Sequence, residues 1–194
     1  MQENMEELEL RTDRLLLRQW RPADHEPFFR LNSDPEVMKY FPQVLGKKDS
    51  DAMAEKCQSL IALHGWGMWA LELLETEQFM GFLGLHKPSA ELPFSPCVEI
   101  GWRLAKPYWR YGFATEGAKR VLRFAFDELD LEEVVSFTAV INQRSFSVMQ
   151  RLHMLDTQQN FHHPDLPQGH ALSEHVLYKI TRHQWERAGR CEEQ

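Results

Sequence analysis

The sequence predicts a mixed α/β protein in which a sheet of mixed strand direction carries helices on both faces. Two patterns support this prediction. The first half combines amphipathic helical segments with two strands joined by a tight turn, and the second half alternates strand, helix, strand, helix and strand. The 194 residues fit one domain spanning 1–194, with 1–7 and 186–194 expected to be flexible.

Each element follows from local patterning. Apolar residues flanked by polar ones predict the first strand. Helices are predicted by a proline at a first turn and by apolar residues at helical spacing, and glycines interrupt this helical spacing. Asp49 or Ser50 is expected to cap the second helix. The predicted strands are 10–20, 66–74, 79–86, 97–104, 134–141, 155–161 and 174–181, and the predicted helices start near residues 22, 50, 112 and 145.

Charge and composition limit the class of protein. The net charge is −7, and scattered Lys and Arg residues lack the basic face typical of direct nucleic-acid binding. No apolar run approaches the ~20 residues of a membrane span, and the acidic N-terminus lacks the apolar region of a signal peptide. Three widely spaced cysteines form no CxxC pair, which favours reduced thiols. We therefore expect a cytoplasmic protein with no membrane or direct nucleic-acid partner.

The segment 98–126 carries the most informative functional pattern, a strand, a short loop and an amphipathic helix that begins near Gly112. A glycine at this junction leaves backbone N–H groups uncovered at the positive end of the helix, where a phosphate or pyrophosphate binds well. The chain has no GxxxxGK[ST] run, and Gly112, Ala114 and Gly117 do not form a GxGxxG motif. The pattern therefore favours a pyrophosphate-bearing cofactor held mainly by the main chain.

The loop WRYGFATE, residues 109–116, resembles the acyl-CoA pyrophosphate loop of the GNAT superfamily of acetyltransferases, in its RimJ/RimL-like branch. The general pattern there is [QR]xxGx[GA]. Trp109 departs from it, whereas the last two positions fit. Segments 10–24, 132–154 and 172–178 resemble the first strand, the next βα unit and the closing strand of the same branch, in the same order.

This resemblance implies a splayed GNAT-like sheet and an acetyl-CoA-dependent N-acetyltransferase. The acceptor would be a primary amine, on a protein N-terminus or a small molecule, that attacks directly in a ternary complex. The residues implied to bind acetyl-CoA are Ile100, Gly101 and Trp102 on the strand, Arg110, Tyr111, Gly112, Phe113, Ala114 and Thr115 in the pyrophosphate loop, and Asn142 near the cofactor arm. Lys119 and Arg120, on the following helix, are expected on a solvated face.

Amine acetylation needs a proton acceptor, because an alkylammonium has a pKa of about 10. Glu99 is the candidate base, since partial desolvation on the strand before the loop would raise its carboxyl pKa. A structural or substrate-binding carboxylate is the equal alternative. Ser145 matches the serine near the cofactor sulfur and is a candidate proton donor to the thiolate. Asn142 and Ser145 also suit the capping of the helix that follows, so both interpretations stay open.

Histidines 162, 163, 170 and 175 form a histidine-rich stretch whose spacing matches no metal-ligand pattern. No metal site is therefore predicted. The stretch corresponds to a loop that borders the acceptor site in the resembled family. His162 or His163 is accordingly an alternative base or a contact to the substrate.

Two rival functions stand beside the enzyme. One is a non-catalytic acyl-CoA-binding sensor or interaction module on the same fold, and the other is a nucleotide-dependent transferase, which the missing phosphate-loop lysine disfavours. Loops at 38–47 and 87–96 are expected to face the acceptor. An exposed last strand would allow a homodimer.

Overall fold

A computed structural model describes residues 8–167 and 169–192 of the chain. The described helices and strands occur in the order β1 (Leu10–Arg11), β2 (Leu15–Arg18), α1 (His25–Ser33), α2 (Lys47–His64), β3 (Met68–Leu73), β4 (Gln78–His86), β5 (Glu99–Leu104), α3 (Phe113–Asp127), β6 (Glu133–Ala139), α4 (Gln143–Arg151), β7 (Leu155–Asp156), β8 (Phe161–His162), β9 (Glu174–Thr181) and α5 (Arg182–Glu192). The N-terminal segment 1–7, predicted to be flexible, lies outside the described residues.

The strands form one sheet in the order β1-β2-β3-β4-β5-β6-β9-β7, with β8 also paired to β9. All neighbouring pairs are antiparallel except β5 and β6, which are parallel. Phe28 of α1 packs on Phe82 of one face, and Phe124 of α3 packs on Trp69 of the other. The predicted mixed sheet with helices on both faces is confirmed.

The sequence of α3 explains where the helix begins and how closely it packs on the sheet. Gly112 precedes it in a left-handed conformation at φ 82°, and the apolar stripe of the helix is buried. A Cβ at Gly117 would lie 3.0 Å from Leu83 Cδ1, so glycine allows the helix to approach the sheet closely. This close packing holds the first turns of α3 against the sheet.

The start of α2 differs from the prediction. The helix begins at Lys47 after Gly46, and neither Asp49 nor Ser50 caps it. Ser50 is fully buried, and its hydroxyl accepts a hydrogen bond from Asn32 Nδ2 at 3.0 Å. A side chain that looked like a cap therefore ties α2 to α1.

The chain ends also differ from expectation. The predicted first strand is split into β1 and β2, because Thr12 turns the chain and its hydroxyl hydrogen-bonds Glu116 of α3. The sequence suggests an exposed last strand, but the structure differs. Strand β9 pairs with β6 on one edge and with β7 and β8 on the other. Helix α5 runs from Arg182 to Glu192 and so includes the first part of the segment predicted to be a flexible tail; Trp185 in its first turn packs against Phe126.

Candidate active site

The sheet opens between β5 and β6. Only one register pair, Glu99 with Val135, joins these parallel strands, whereas β4 and β5 share six. Beyond Glu99 the edge of β5 that faces β6 has no strand partner among the described residues, so its main-chain groups are available for hydrogen bonding. A cleft of about 1630 Å³ passes through this opening and is lined from both faces of the sheet.

Glu99 and His86 meet at the point where the strands separate. They are opposite each other in the β4–β5 ladder, and His86 Nε2 lies 3.1 Å from Glu99 Oε2. The Glu99 side chain is 12% exposed, and burial raises its pKa well above the usual value for a glutamate. Burial lowers the pKa of His86, whose Nδ1 is buried with no hydrogen-bond partner. Desolvation thus favours the uncharged pair, with the carboxyl proton shared with the imidazole.

A left-handed loop presents the N-terminus of α3 to the cleft. Arg110 and Gly112 have positive φ angles of 69° and 82°. The first amide of α3 with a main-chain acceptor is that of Glu116, which donates to Gly112 O at 3.0 Å. The amides of 113–115 therefore point towards the cleft at the positive end of the helix, as an anion site requires.

The α3–α4 side of the cleft is basic although the chain as a whole is acidic. Arg110, Lys119, Arg144 and Arg151 line it there. Lys119 is thus part of the cleft, not of a solvated face as we predicted, whereas Arg120 lies 3.7 Å from Glu128. Positive side chains beside a helix N-terminus fit a ligand with several phosphates.

Trp109, the residue that departs from the usual loop pattern, forms part of the wall of the cleft. Its Nε1 donates to Leu104 O at 2.8 Å, and the Arg144 guanidinium lies 4.1 Å from its ring centroid. The indole therefore fixes the loop to the end of β5 and supports a cation from α4 by a cation–π contact.

Asn142 and Ser145 form a connected polar group at the start of α4. Asn142 Oδ1 accepts from the Ser145 amide at 3.3 Å, so the asparagine caps the helix. Its Nδ2 donates to Thr138 Oγ1 at 2.8 Å and to Ser145 Oγ at 3.0 Å. Ser145 Oγ thus acts as an acceptor here, which leaves its hydroxyl hydrogen for an acceptor in the cleft. Capping and a role in the cleft are compatible.

Ten of the twelve residues selected from the sequence line this single cleft: Glu99, Gly101, Trp102, Arg110, Gly112, Phe113, Ala114, Thr115, Asn142 and Ser145. Ile100 does not, because its side chain is fully buried on the α3 face. Tyr111 is 63% exposed and lies outside the lining, with its ring 5.7 Å from Phe113. Any contact of Ile100 with a ligand would therefore come from its main chain.

Sequence reasoning missed His86. The sequence predicted the strands 79–86 and 97–104 but no register between them, and that register is what sets His86 opposite Glu99. Only part of the histidine-rich stretch lines the cleft. His163 and His175 line the cleft with ring centroids 5.1 Å apart, whereas His162 Nδ1 lies 3.3 Å from Ser173 Oγ.

The α1–α2 side of the cleft has a mixed lining. Val37, Tyr40 and Phe41 come from the loop before α2, as expected for a segment facing an acceptor, and Met53 and Lys56 come from α2 itself.

Within residues 8–167 and 169–192, no group of three or more His, Cys, Asp or Glu side chains is arranged to hold a metal ion. No described helix is long and apolar enough to cross a membrane.

Comparison with known proteins gives a consistent result. The sequence profile of the acetyltransferase (GNAT) domain matches residues 14–155. FsC-acetyl coenzyme A-N(2)-transacetylase from Aspergillus fumigatus is 32% identical over 172 residues, which cover 84% of this chain and 72% of that protein.

Solved structures share the fold. A GNAT-family acetyltransferase from Bacillus anthracis has a TM-score of 0.75 at 24% identity, covering 91% of this chain and 99% of that one. Spermidine N-acetyltransferase from Vibrio cholerae, solved in complex with CoA and spermine, has a TM-score of 0.70 at 17% identity, covering 90% of this chain and 99% of that one. The cleft described above therefore lies in a fold shared with acetyltransferases.

Proposed function

The chain belongs to the GNAT family of acetyltransferases, and on that premise we propose that it transfers an acetyl group from acetyl-CoA to a primary amine. We place it in the RimJ/RimL-like branch on the motifs of its first strand and its 132–154 segment. One observation carries the proposal: a single cleft joins the main-chain anion cradle at α3 to the buried Glu99–His86 pair at the sheet opening. Cofactor binding alone would not require that pair.

Each part of the cleft has a role in this proposal. The amides at the start of α3, with Arg110 and Lys119, hold the pyrophosphate. The unpaired edge of β5, including the main chain of Ile100, Gly101 and Trp102, holds the pantetheine arm. Acetyl-CoA supplies the thioester that the amine attacks, and the fit rests on the glycine turn and the uncovered amides.

Two proton transfers complete the reaction. The Glu99–His86 pair takes the proton that the attacking amine must lose, and it does so in the form in which Glu99 is ionised. The Ser145 hydroxyl would hydrogen-bond the leaving thiolate and relay to it a proton that solvent replaces, so that the serine ends neutral and CoA leaves as a thiol. Because the amine attacks directly, no covalent enzyme intermediate is required.

The proposal is tested by calorimetric titration with acetyl-CoA, using NAD and ATP as controls, followed by an assay of CoA thiol release with amine acceptors. We expect 1:1 binding of acetyl-CoA alone, with a dissociation constant on the order of micromolar. Binding without thiol release from any amine would favour an acyl-CoA-binding module. No binding by the folded protein would contradict the proposal.

Replacing Gly112 by Ala should weaken acetyl-CoA binding by about five- to tenfold, because a left-handed alanine costs about 1 kcal/mol and the loop would relax from the orientation that presents the α3 amides. Calorimetry measures the dissociation constant. Gly65→Ala is the matched control, since Gly65 has a similar φ of 76° at the end of α2 and lies outside the cleft lining. We expect Gly65→Ala to lower the melting temperature similarly without changing cofactor affinity. Equal losses of affinity in both variants would refute a specific role for this turn.

A further inference from the structure

A strip of residues on the α1–α2 face of the sheet leads away from the Glu99–His86 pair. Three register pairs build it: His86 with Glu99, Gly84 with Gly101, and Phe82 with Arg103. Alternate residues of a strand share one face, so Glu99, Gly101 and Arg103 lie in a row. Four residues at ~3.3 Å each place the Cα atoms of Glu99 and Arg103 about 13 Å apart. Gly101 leaves its part of the strip open, since a Cβ there would meet only Met68 Cε at 3.7 Å, whereas the main chain of Gly67 covers Gly84.

Arg103, at the far end of the strip, has an incompletely satisfied guanidinium. Its Nη1 donates to Asn32 Oδ1 at 2.6 Å, and its Cζ lies 3.9 Å from the ring centroid of Phe41. Its Nε is buried with no hydrogen-bond partner. A buried charge is usually paired with an opposite charge, yet no described carboxylate pairs with Arg103. Burial lowers its pKa to about 10, and only the Cys57 thiol opposes this effect.

The other charges on this side of the cleft are mainly positive. Lys56 and Lys87 line it, and the positive charge of Lys56 helps to lower the pKa of His86. Besides Glu99, three carboxylates line the cleft: Glu36 pairs with Lys106 at 3.4 Å, Glu116 pairs with Arg14, and Asp165 lies 4.0 Å from His163 Nδ1. The acceptor side is therefore positive in a chain whose net charge is −7. Such a surface repels a polycation and attracts an anionic group.

We propose that the acceptor is a small amine that also carries a carboxylate, an amino acid in the broad sense. The Arg103 guanidinium binds the carboxylate, the chain of the acceptor lies over Gly101, and the amine reaches the Glu99–His86 pair. The direction of transfer rests on the function proposed above. The binding of the carboxylate does not, and this difference allows the two to be tested separately.

Binding is measured by calorimetry on the protein saturated with CoA. The probes are N-acetylated amino acids that cannot react further, from N-acetylglycine to 6-acetamidohexanoate and N-acetylated α-amino acids, each with its matched carboxamide. We expect carboxylates to bind about tenfold or more tightly than their carboxamides, as expected for a charged hydrogen bond. An optimum along the length series would report the distance between Arg103 and the reacting centre.

Variants assign this preference to Arg103. Arg103→Gln should remove the preference for carboxylates, Arg103→Lys should keep part of it, and Arg123→Gln, at an exposed position of α3 outside the cleft lining, should leave it unchanged. Circular dichroism and melting temperatures confirm folding of each variant. Equal binding of carboxylates and carboxamides, no binding of any probe, or an undiminished preference in Arg103→Gln would overturn the inference.

The matching free amines are then assayed for thiol release with acetyl-CoA. We expect kcat/KM to follow the same carboxylate preference. If the probes bind through Arg103 but no amine is acetylated, the proposed function fails while the carboxylate site stands. If amines and their carboxamides are acetylated equally well, the enzyme assignment stands and the carboxylate site is wrong.

Discussion

Glu99→Gln is expected to lower kcat by about 10²–10⁴-fold while the affinity for acetyl-CoA stays near that of the wild type. The amide is close in size to the carboxyl, whose Oε2 lies 3.1 Å from His86 Nε2 in the wild type, so it can still contact the histidine. It cannot accept the proton of the amine. Because the cradle at α3 is at the other end of the cleft, cofactor binding should not depend on this side chain. Thiol-release kinetics and calorimetric titration give the two quantities.

The pH profile provides a second reading of the same variant. Burial raises the pKa of Glu99, so wild-type kcat/KM should rise with pH through a value well above that of an ordinary glutamate. Residual activity of Glu99→Gln should lack this limb. Glu133→Gln is the control, because Glu133 lies outside the cleft lining and its Oε2 is 3.0 Å from Lys179 Nζ. An unchanged profile in Glu99→Gln would assign the base to another group, with His163 and His175 as the next candidates.

The same substitution should stabilise the protein at neutral and alkaline pH. Since the folded-state pKa of Glu99 lies above its unfolded value, the native state binds more protons between those two pKa values, and wild-type stability falls as pH rises through them. Glutamine has no proton to lose. The melting temperature of Glu99→Gln should therefore exceed that of the wild type at pH 8 and approach it near pH 4. A difference that grows towards acid pH would contradict the raised pKa.

The sequence predicted the fold and most of the cleft because these depend on local patterns and on chain order. The glycine turn before α3 and the Asn142–Ser145 start of α4 are short motifs, and a parallel β5–β6 pair brings their N-termini to the same edge of the sheet. The sequence could not predict contacts that depend on the register of two strands joined by a long loop. His86 and Glu99 are adjacent in space but separated by a twelve-residue loop, 87–98.

Other differences arise from polar side chains with tertiary partners. Serine is a residue type that often caps helices, but the Ser50 hydroxyl accepts a hydrogen bond from Asn32 Nδ2. The same Asn32 accepts a hydrogen bond from Arg103 through its Oδ1. The isolated charge of Arg103 becomes visible only when β5 is placed under Phe41 and beside α1. The net charge of the chain is negative, whereas the local charge on the acceptor side of the cleft is positive. Composition averages over the surface, and recognition depends on the part that is concave.

Two glycines that face each other in the β4–β5 ladder should respond to substitution in opposite ways. A Cβ at Gly84 would lie 2.0 Å from the carbonyl oxygen of Gly67, whereas a Cβ at Gly101 meets only Met68 Cε, at 3.7 Å. Gly84→Ala must therefore displace β3 and should cost about 3 kcal/mol of unfolding free energy or more. Gly101→Val should leave the melting temperature unchanged or raise it, because valine suits a strand.

The functional effects should reverse this order. A valine at Gly101 would project into the strip between Glu99 and Arg103, so we expect kcat/KM for the amine to fall by about 100-fold, as for a misplaced reactant. The affinity for acetyl-CoA should persist, because the main chain of β5 is unchanged, and Gly101→Ala should give an intermediate loss. If Gly101→Val instead weakened acetyl-CoA binding and left the KM of the amine unaltered, this face of β5 would belong to the cofactor, and the acceptor would have to approach the Glu99–His86 pair from the side of His163 and His175.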